Sequence, residues 1–105
     1  MKDKLMIDKI LYITHSEDYF EIFYSFGKSC ENICSYYTLL KSLDENFIRV
    51  NDSTIVNFNF VSKCTEKNVV VITGNSFCVS PKYQKNATNT FFKIKFKSFI
   101  SKQQC

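Results

Sequence analysis

The chain has 105 residues, which is enough for one domain with a modest core but not for two. Hydrophobic residues make up 45% of it, including 11 Phe and 6 Tyr, and this composition excludes an intrinsically disordered protein. Residues 1–66 have seven basic and ten acidic side chains, whereas residues 67–105 have seven lysines and no acid, so the last third is either a surface for a polyanion or a solvated, lysine-covered face.

The first half of the chain predicts three strands and one helix. "MIDKILYIT" is predicted as a strand covered on both sides, with Ile10, Tyr12 and Thr14 on one face and Leu11 and Ile13 on the other. The polar "HSED" then forms a turn, the alternating "YFEIFYSF" completes a hairpin, and "GKSCENIC" adds a turn and a short third strand. "SYYTLLKSLDENF" changes to helical spacing and predicts one short helix.

The second half predicts further strands. "FIRV" and "TIVNFNFV" flank the polar "NDS", and "NVVVIT" pairs with "SFCV" through the turn "GN", where Gly74 and Asn75 both tolerate positive φ. "SPKYQKNATNT" is predicted to be irregular. "FFKIKFKSFI" alternates apolar residues with lysine, so Phe92, Ile94 and Phe96 are expected to point inward from a C-terminal strand. The sum is a mainly β fold with one short helix, in a single domain over residues 1–105.

Catalytic and metal chemistry are not indicated. The chain has one His, five scattered Cys, no glycine-rich phosphate loop and no serine-nucleophile turn, so we expect no enzyme activity, metal or cofactor. The acidic residues Asp3 and Asp8 lie where a signal peptide would be, and no apolar run approaches membrane-spanning length. We therefore expect a cytoplasmic protein without membrane insertion, whose cysteines are reduced and are either small buried hydrophobes or bystanders.

Several segments, taken in order, resemble the LytTR family of bacterial DNA-binding domains. The matching pieces are "DKILYIT" (8–14), "LLKSLDENFIRV" (39–50), "STIVN" (53–57), "VVVITGNSFCVS" (69–80) and "KY" (82–83). The resemblance covers residues 7–85 and leaves 86–105 as a C-terminal strand and tail. It implies an elongated fold of about ten short strands with one short helix, lying along double-stranded DNA with its loops in successive major grooves.

The resemblance also places DNA contacts in three loops. The candidates in the turn after the first strand are His15, Ser16 and Tyr19. Those around "NDS" are Arg49, Asn51, Asp52 and Ser53, and those after "VS" are Lys82 and Lys85, as phosphate contacts.

Two of these candidates have alternative interpretations. Arg49 either contacts phosphate or forms an ion pair with Asp44, Glu45 or Asp52. Asn51 either reads adenine in the major groove or hydrogen-bonds its own backbone turn.

This sequence departs from the family pattern where DNA contacts are expected. The usual His and Arg of the second loop are Asn51 and Asp52, and an expected Arg in the third loop is Pro81. A carboxylate can accept a hydrogen bond from cytosine N4, but beside phosphates it repels.

Two functions are therefore open. The first is a LytTR-type transcriptional regulator without a receiver domain, or the DNA-binding part of a longer regulator, that binds direct repeats of double-stranded DNA with one monomer per repeat. The second is a LytTR-like interaction module that inhibits or modulates a regulatory protein partner or another host complex.

Overall fold

The computed structural model describes residues 6–103, with side chains described up to residue 97. The strands are β1 (Ile10–His15), β2 (Tyr19–Tyr24), β3 (Gly27–Asn32), β4 (Phe47–Asn51), β5 (Thr54–Asn57), β6 (Val61–Cys64), β7 (Asn68–Val71) and β8 (Ser76–Cys78). The helices are α1 (Tyr36–Ser42) and α2 (Pro81–Gln103), and single 3₁₀ turns span Ile7–Lys9, Ile33–Ser35 and Phe58–Phe60.

Two antiparallel sheets form the framework. The larger has the strand order β3-β2-β1-β5-β4, and the smaller has the order β6-β7-β8. The predicted mainly β fold is confirmed, although the described residues form eight strands rather than about ten. The molecule measures 43 × 32 × 24 Å, so it is only moderately elongated.

The larger sheet is covered on both faces, which explains why the middle of β1 is apolar throughout. On one face, Ile10 and Ile13 pack in a cluster with Leu39 of α1. On the other face, Leu11 and Tyr12 pack in a cluster with the small sheet and α2. The predicted burial on both sides is confirmed, but the assignment of faces is wrong. A register shift between Ile10 and Tyr12 in the pairing with β2 adds one residue and puts Leu11 and Tyr12 in the same cluster.

The last element corrects the predicted C-terminal strand, because residues 81–103 form a helix. Proline suits the first position of a helix, where its missing N–H is not needed. The side chains that pack inward follow helical spacing: Tyr83, Ala87, Phe91 and Ile94. Of the residues predicted to point inward, only Ile94 does so, since Phe92 and Phe96 are 67% and 65% exposed.

The predicted strand "TIVNFNFV" is also interrupted, because β5 ends at Asn57 and a 3₁₀ turn follows. Asn57 is fully buried. Its Nδ2 donates to the carbonyl of Ile10 at 2.8 Å, and its Oδ1 accepts from the amide of Asn59 at 3.0 Å. Asn57 therefore joins the start of β1 to the end of β5.

Most of the described cysteines are not the buried hydrophobic residues that were one of the two expectations. Cys30, Cys34 and Cys78 are exposed, Cys64 is half-buried, and all four are free thiols. Burial raises the pKa of the Cys64 thiol. Cys105 lies outside the described residues. The interpretation of the cysteines as buried hydrophobes is therefore wrong for the three that are exposed.

Candidate nucleic-acid interface

Three polar segments meet at one end of the larger sheet, and we call them together the loop face. They are the β1–β2 turn (16–18), the β4–β5 turn (52–53) and the first residues of α2 (81–85). Antiparallel pairing of β1 with β5 brings the first two together, so the amide of His15 donates to the carbonyl of Ser53 at 3.0 Å. The amide of Ser80 donates to the carbonyl of Val50 at 2.8 Å and fixes the start of α2 beside them.

The backbone carbonyl of Asp52 organises the loop face. It accepts hydrogen bonds from Nε2 of His15 at 2.8 Å and from Nη1 of Arg49 at 3.0 Å. A carbonyl oxygen can only accept, so Nε2 of His15 must carry a proton. Nε2 and Nη1 are 3.4 Å apart and are both donors, so these two side chains meet at the shared carbonyl rather than bonding each other.

Arg49 is fixed inside the protein. Its Nη2 donates to the hydroxyl of Tyr36 on α1 at 3.0 Å, and the side chain is half-buried. Among the described residues, no carboxylate lies within 4.0 Å of Arg49. The ion pair considered from the sequence is therefore not formed. Sequence reasoning missed Tyr36, because nothing in the pattern connects a helix residue to this loop.

Asn51 uses its whole side chain to shape the turn. Its Oδ1 accepts from the amide of Ser53 at 3.0 Å and from the hydroxyl of Ser53 at 3.2 Å. Its Nδ2 donates to the carbonyl of Cys78 at 3.0 Å, at the end of β8. Bidentate reading of adenine would require these bonds to break, so the geometry favours the turn interpretation.

The β1–β2 turn is closed by Ser16 and presents an aromatic ring and two acids. The amide and hydroxyl of Ser16 donate to the carbonyl of Tyr19 at 2.9 and 3.2 Å. Tyr19 is 44% exposed, and Glu17 and Asp18 are exposed beside it.

The third segment contributes exposed cations. Nζ of Lys82 lies 3.4 Å from Oδ1 of Asp52, with both side chains mostly in solvent. Nζ of Lys82 also lies over the ring of Tyr83, 5.1 Å from its centroid. Side-chain hydrogen bonding with Tyr83, and to a smaller extent with Asp52, raises the pKa of Lys82. Lys85 is exposed one helical turn further on. Tyr83 itself packs against the core.

The charges of the loop face balance. Three carboxylates (Glu17, Asp18 and Asp52) stand against three cations (Arg49, Lys82 and Lys85). The other described lysines of α2 lie elsewhere, since Lys93 is eleven residues beyond Lys82 and therefore about 16 Å further along the helix axis. The structure thus brings the nine predicted site residues together, but without a net positive field.

Metal ligation and membrane spanning find no support in the described part of the chain. No group of three or more His, Cys, Asp or Glu side chains between residues 6 and 97 could hold a metal ion. Neither helix, over the residues that can be assessed, is both long and apolar enough to cross a bilayer.

Comparisons with known proteins bear on the family and the fold. The sequence profile of the LytTr DNA-binding domain matches residues 3–92. Among solved structures, the chain is similar to the LytTr DNA-binding domain of a response regulator from Bacillus cereus, with a TM-score of 0.65 and 17% identity over 80% of this chain and 82% of that chain. At this identity the structural similarity supports the fold alone. Comparison with curated proteins gave no match.

Proposed function

Because the chain belongs to the LytTR family of DNA-binding domains, we propose that it regulates transcription by inserting the loop face into the major groove of double-stranded DNA. The observation that carries this proposal is the meeting of the three segments at Asp52, whose carbonyl accepts from His15 and Arg49 and whose carboxylate pairs with Lys82. Loops fixed in this way keep one shape on and off DNA, which lowers the entropy cost of binding.

The side chains of the loop face divide into two groups. His15, Arg49 and Asn51 hold the turns through internal hydrogen bonds. The side chains exposed for contact with DNA are those of Ser16, Tyr19, Asp52, Ser53, Lys82 and Lys85, although the hydroxyls of Ser16 and Ser53 also bond within their turns. In this proposal the two lysines contact phosphates, whereas the carboxylate of Asp52 holds Lys82 and repels nearby phosphates. Direct repeats, with one monomer on each, are the expected target.

Salt titration of DNA binding tests the proposal. The protein is titrated with random-sequence and selected duplexes from about 50 mM to about 200 mM salt. Lys82→Gln and Lys85→Gln should each reduce the salt slope by about one unit and weaken all sequences alike. Lys41→Gln, on α1 away from the loop face, is the matched control. A folded protein with no measurable duplex binding at the lowest salt would refute the function.

The balanced charge of the loop face favours one other candidate function. Glu17, Asp18 and Asp52 would repel phosphates, but they suit a basic surface on a protein partner. In this alternative the domain pairs with a regulatory protein and modulates it. Absence of duplex binding by the folded chain would favour this alternative, and a sequence preference in selected duplexes would exclude it.

A further inference from the structure

The outer face of α2 has exposed aromatic and basic side chains that take no part in the proposed binding of duplex DNA by the loop face. Phe92 and Phe96 are 67% and 65% exposed and lie one helical turn apart, separated by a rise of about 6 Å. They lie opposite the stripe that packs on the core, which includes Ala87 and Ile94. The two rings therefore form a ridge that no part of the described chain covers.

Cations flank this ridge on both sides. By helical geometry, Lys93 lies on one side, Lys95 on the other, and Lys85 continues the ridge toward the loop face. All three are exposed, and the helix contains no acidic residue. Lys95 also lies 5.4 Å from the ring centroid of Phe91. The LytTr profile ends at residue 92, whereas the helix continues to Gln103, so most of this surface lies beyond the family match.

We propose that the ridge of α2 binds single-stranded nucleic acid, with bases stacked on Phe92 and Phe96 and phosphates paired with Lys93 and Lys95. A positive surface with exposed aromatic rings is the combination that single strands require, because every unpaired base offers a face for stacking. A duplex offers only base edges and phosphates, so it would leave both rings without a partner.

Other occupants fit this surface less well. Protein interfaces are depleted in lysine, whereas nucleic-acid interfaces are strongly positive. A second copy docked helix to helix would bring two acid-free, lysine-bearing surfaces together. A membrane-surface helix needs a long apolar face, and among the side chains described up to residue 97 the ridge offers two aromatic rings, which Lys85 and Asn89 continue.

The test measures fluorescence anisotropy of labelled single strands of about 16 nucleotides, the upper end of single-domain site sizes. Oligo-dT and oligo-rU distinguish DNA from RNA as the source. Phe92→Ala and Phe96→Ala should each weaken single-strand binding at least about fivefold. Lys93→Gln and Lys95→Gln should each lower the salt slope by about 0.7. All four residues are exposed, so folding should be retained, and circular dichroism checks it.

Phe26→Ala is the matched control, because Phe26 is equally exposed, at 65%, but lies in the β2–β3 turn. Single-strand binding that survives Phe92→Ala combined with Phe96→Ala would overturn the inference. So would a dimer of the unmodified chain that these substitutions dissociate, or binding to anionic phosphatidylserine vesicles without binding to oligonucleotides.

The outcome is separable from that of duplex binding. A strand on α2 and a duplex on the loop face should bind together, so a native gel should show a ternary complex. Loss of duplex binding with retained strand binding would refute the proposed function alone. Duplex binding without single-strand binding would refute the inference about α2 alone.

Discussion

Replacement of Asp52 by asparagine is the sharpest test of the loop face. The loop depends on the backbone carbonyl of Asp52, which accepts from His15 and Arg49. Within the described residues, the carboxylate of Asp52 contacts only Lys82, at 3.4 Å and in solvent. Asp52→Asn should therefore preserve the shape of the loop. It should also release Lys82 for a phosphate and remove a repulsive charge.

The size of the effect follows from counterion release. One additional phosphate contact steepens the dependence of log affinity on log salt by about 0.9. Between about 50 and 200 mM salt, Asp52→Asn should thus lose roughly three- to fourfold more affinity than the unmodified chain does, starting from tighter binding at low salt. Asp52→Arg, which adds a cation as well, should bind more tightly still.

Fluorescence anisotropy with random-sequence duplex measures both quantities. Glu66→Gln is the control, because it changes the net charge equally at an exposed site in the β6–β7 turn. Weaker binding by Asp52→Asn to every duplex would refute the reasoning, since the carboxylate would then itself be a contact. An unchanged salt slope would mean that this turn does not face phosphates.

Three further predictions concern the framework of the fold and the positioning of Arg49. Asn57→Ala should lower the free energy of unfolding by about 1–3 kcal/mol in urea denaturation, because the buried carbonyl of Ile10 loses its donor; a loss no larger than that of Asn59→Ala would contradict this. Arg49→Lys cannot bond both Tyr36 and Asp52, so binding-site selection should return a relaxed sequence preference; an unchanged preference would disprove the positioning role. Burial raises the pKa of Tyr12, so the stabilisation by the neutral Tyr12 side chain is present below about pH 10 and is lost as pH rises through the pKa of the folded state. Tyr12→Phe should therefore reduce the alkaline decline of the urea midpoint. An equal decline in the variant and the unmodified chain would refute this prediction.

The C-terminal helix shows where pattern reasoning from the sequence failed. "FFKIKFKSFI" alternates with period two, which is typical of a half-buried strand. The competing helical stripe begins earlier, at Tyr83, and runs through Ala87 and Phe91 to Ile94. The helical stripe becomes visible only when the whole segment from Pro81, a favourable first residue of a helix, is considered. The short apolar run at its end fits both the two-residue period of a strand and the spacing of a helix.

The strands and the first helix were more predictable, because each satisfies one local rule. Alternation of apolar residues predicts the β1–β2 hairpin, and leucine spacing predicts α1. Glycine tolerates positive φ and so predicts the turn at Gly74, where φ is +96° in the structure. The meeting of the three loops was not locally encoded, since it depends on the pairing of β1 with β5, more than forty residues later. It was predicted only through the family resemblance.

The structure also explains how this chain can differ from its family at Asn51 and Asp52 without losing the loop. The turn is held by a backbone carbonyl, and any residue at position 52 supplies one. The side chain at that position is therefore free to change sign while His15 and Arg49 keep their partners. Sequence comparison considers only the side chain, so it interprets Asp52 as the loss of a DNA contact in the β4–β5 turn. The geometry separates the two roles, so Asp52 alters what the loop face attracts and leaves intact how it is built.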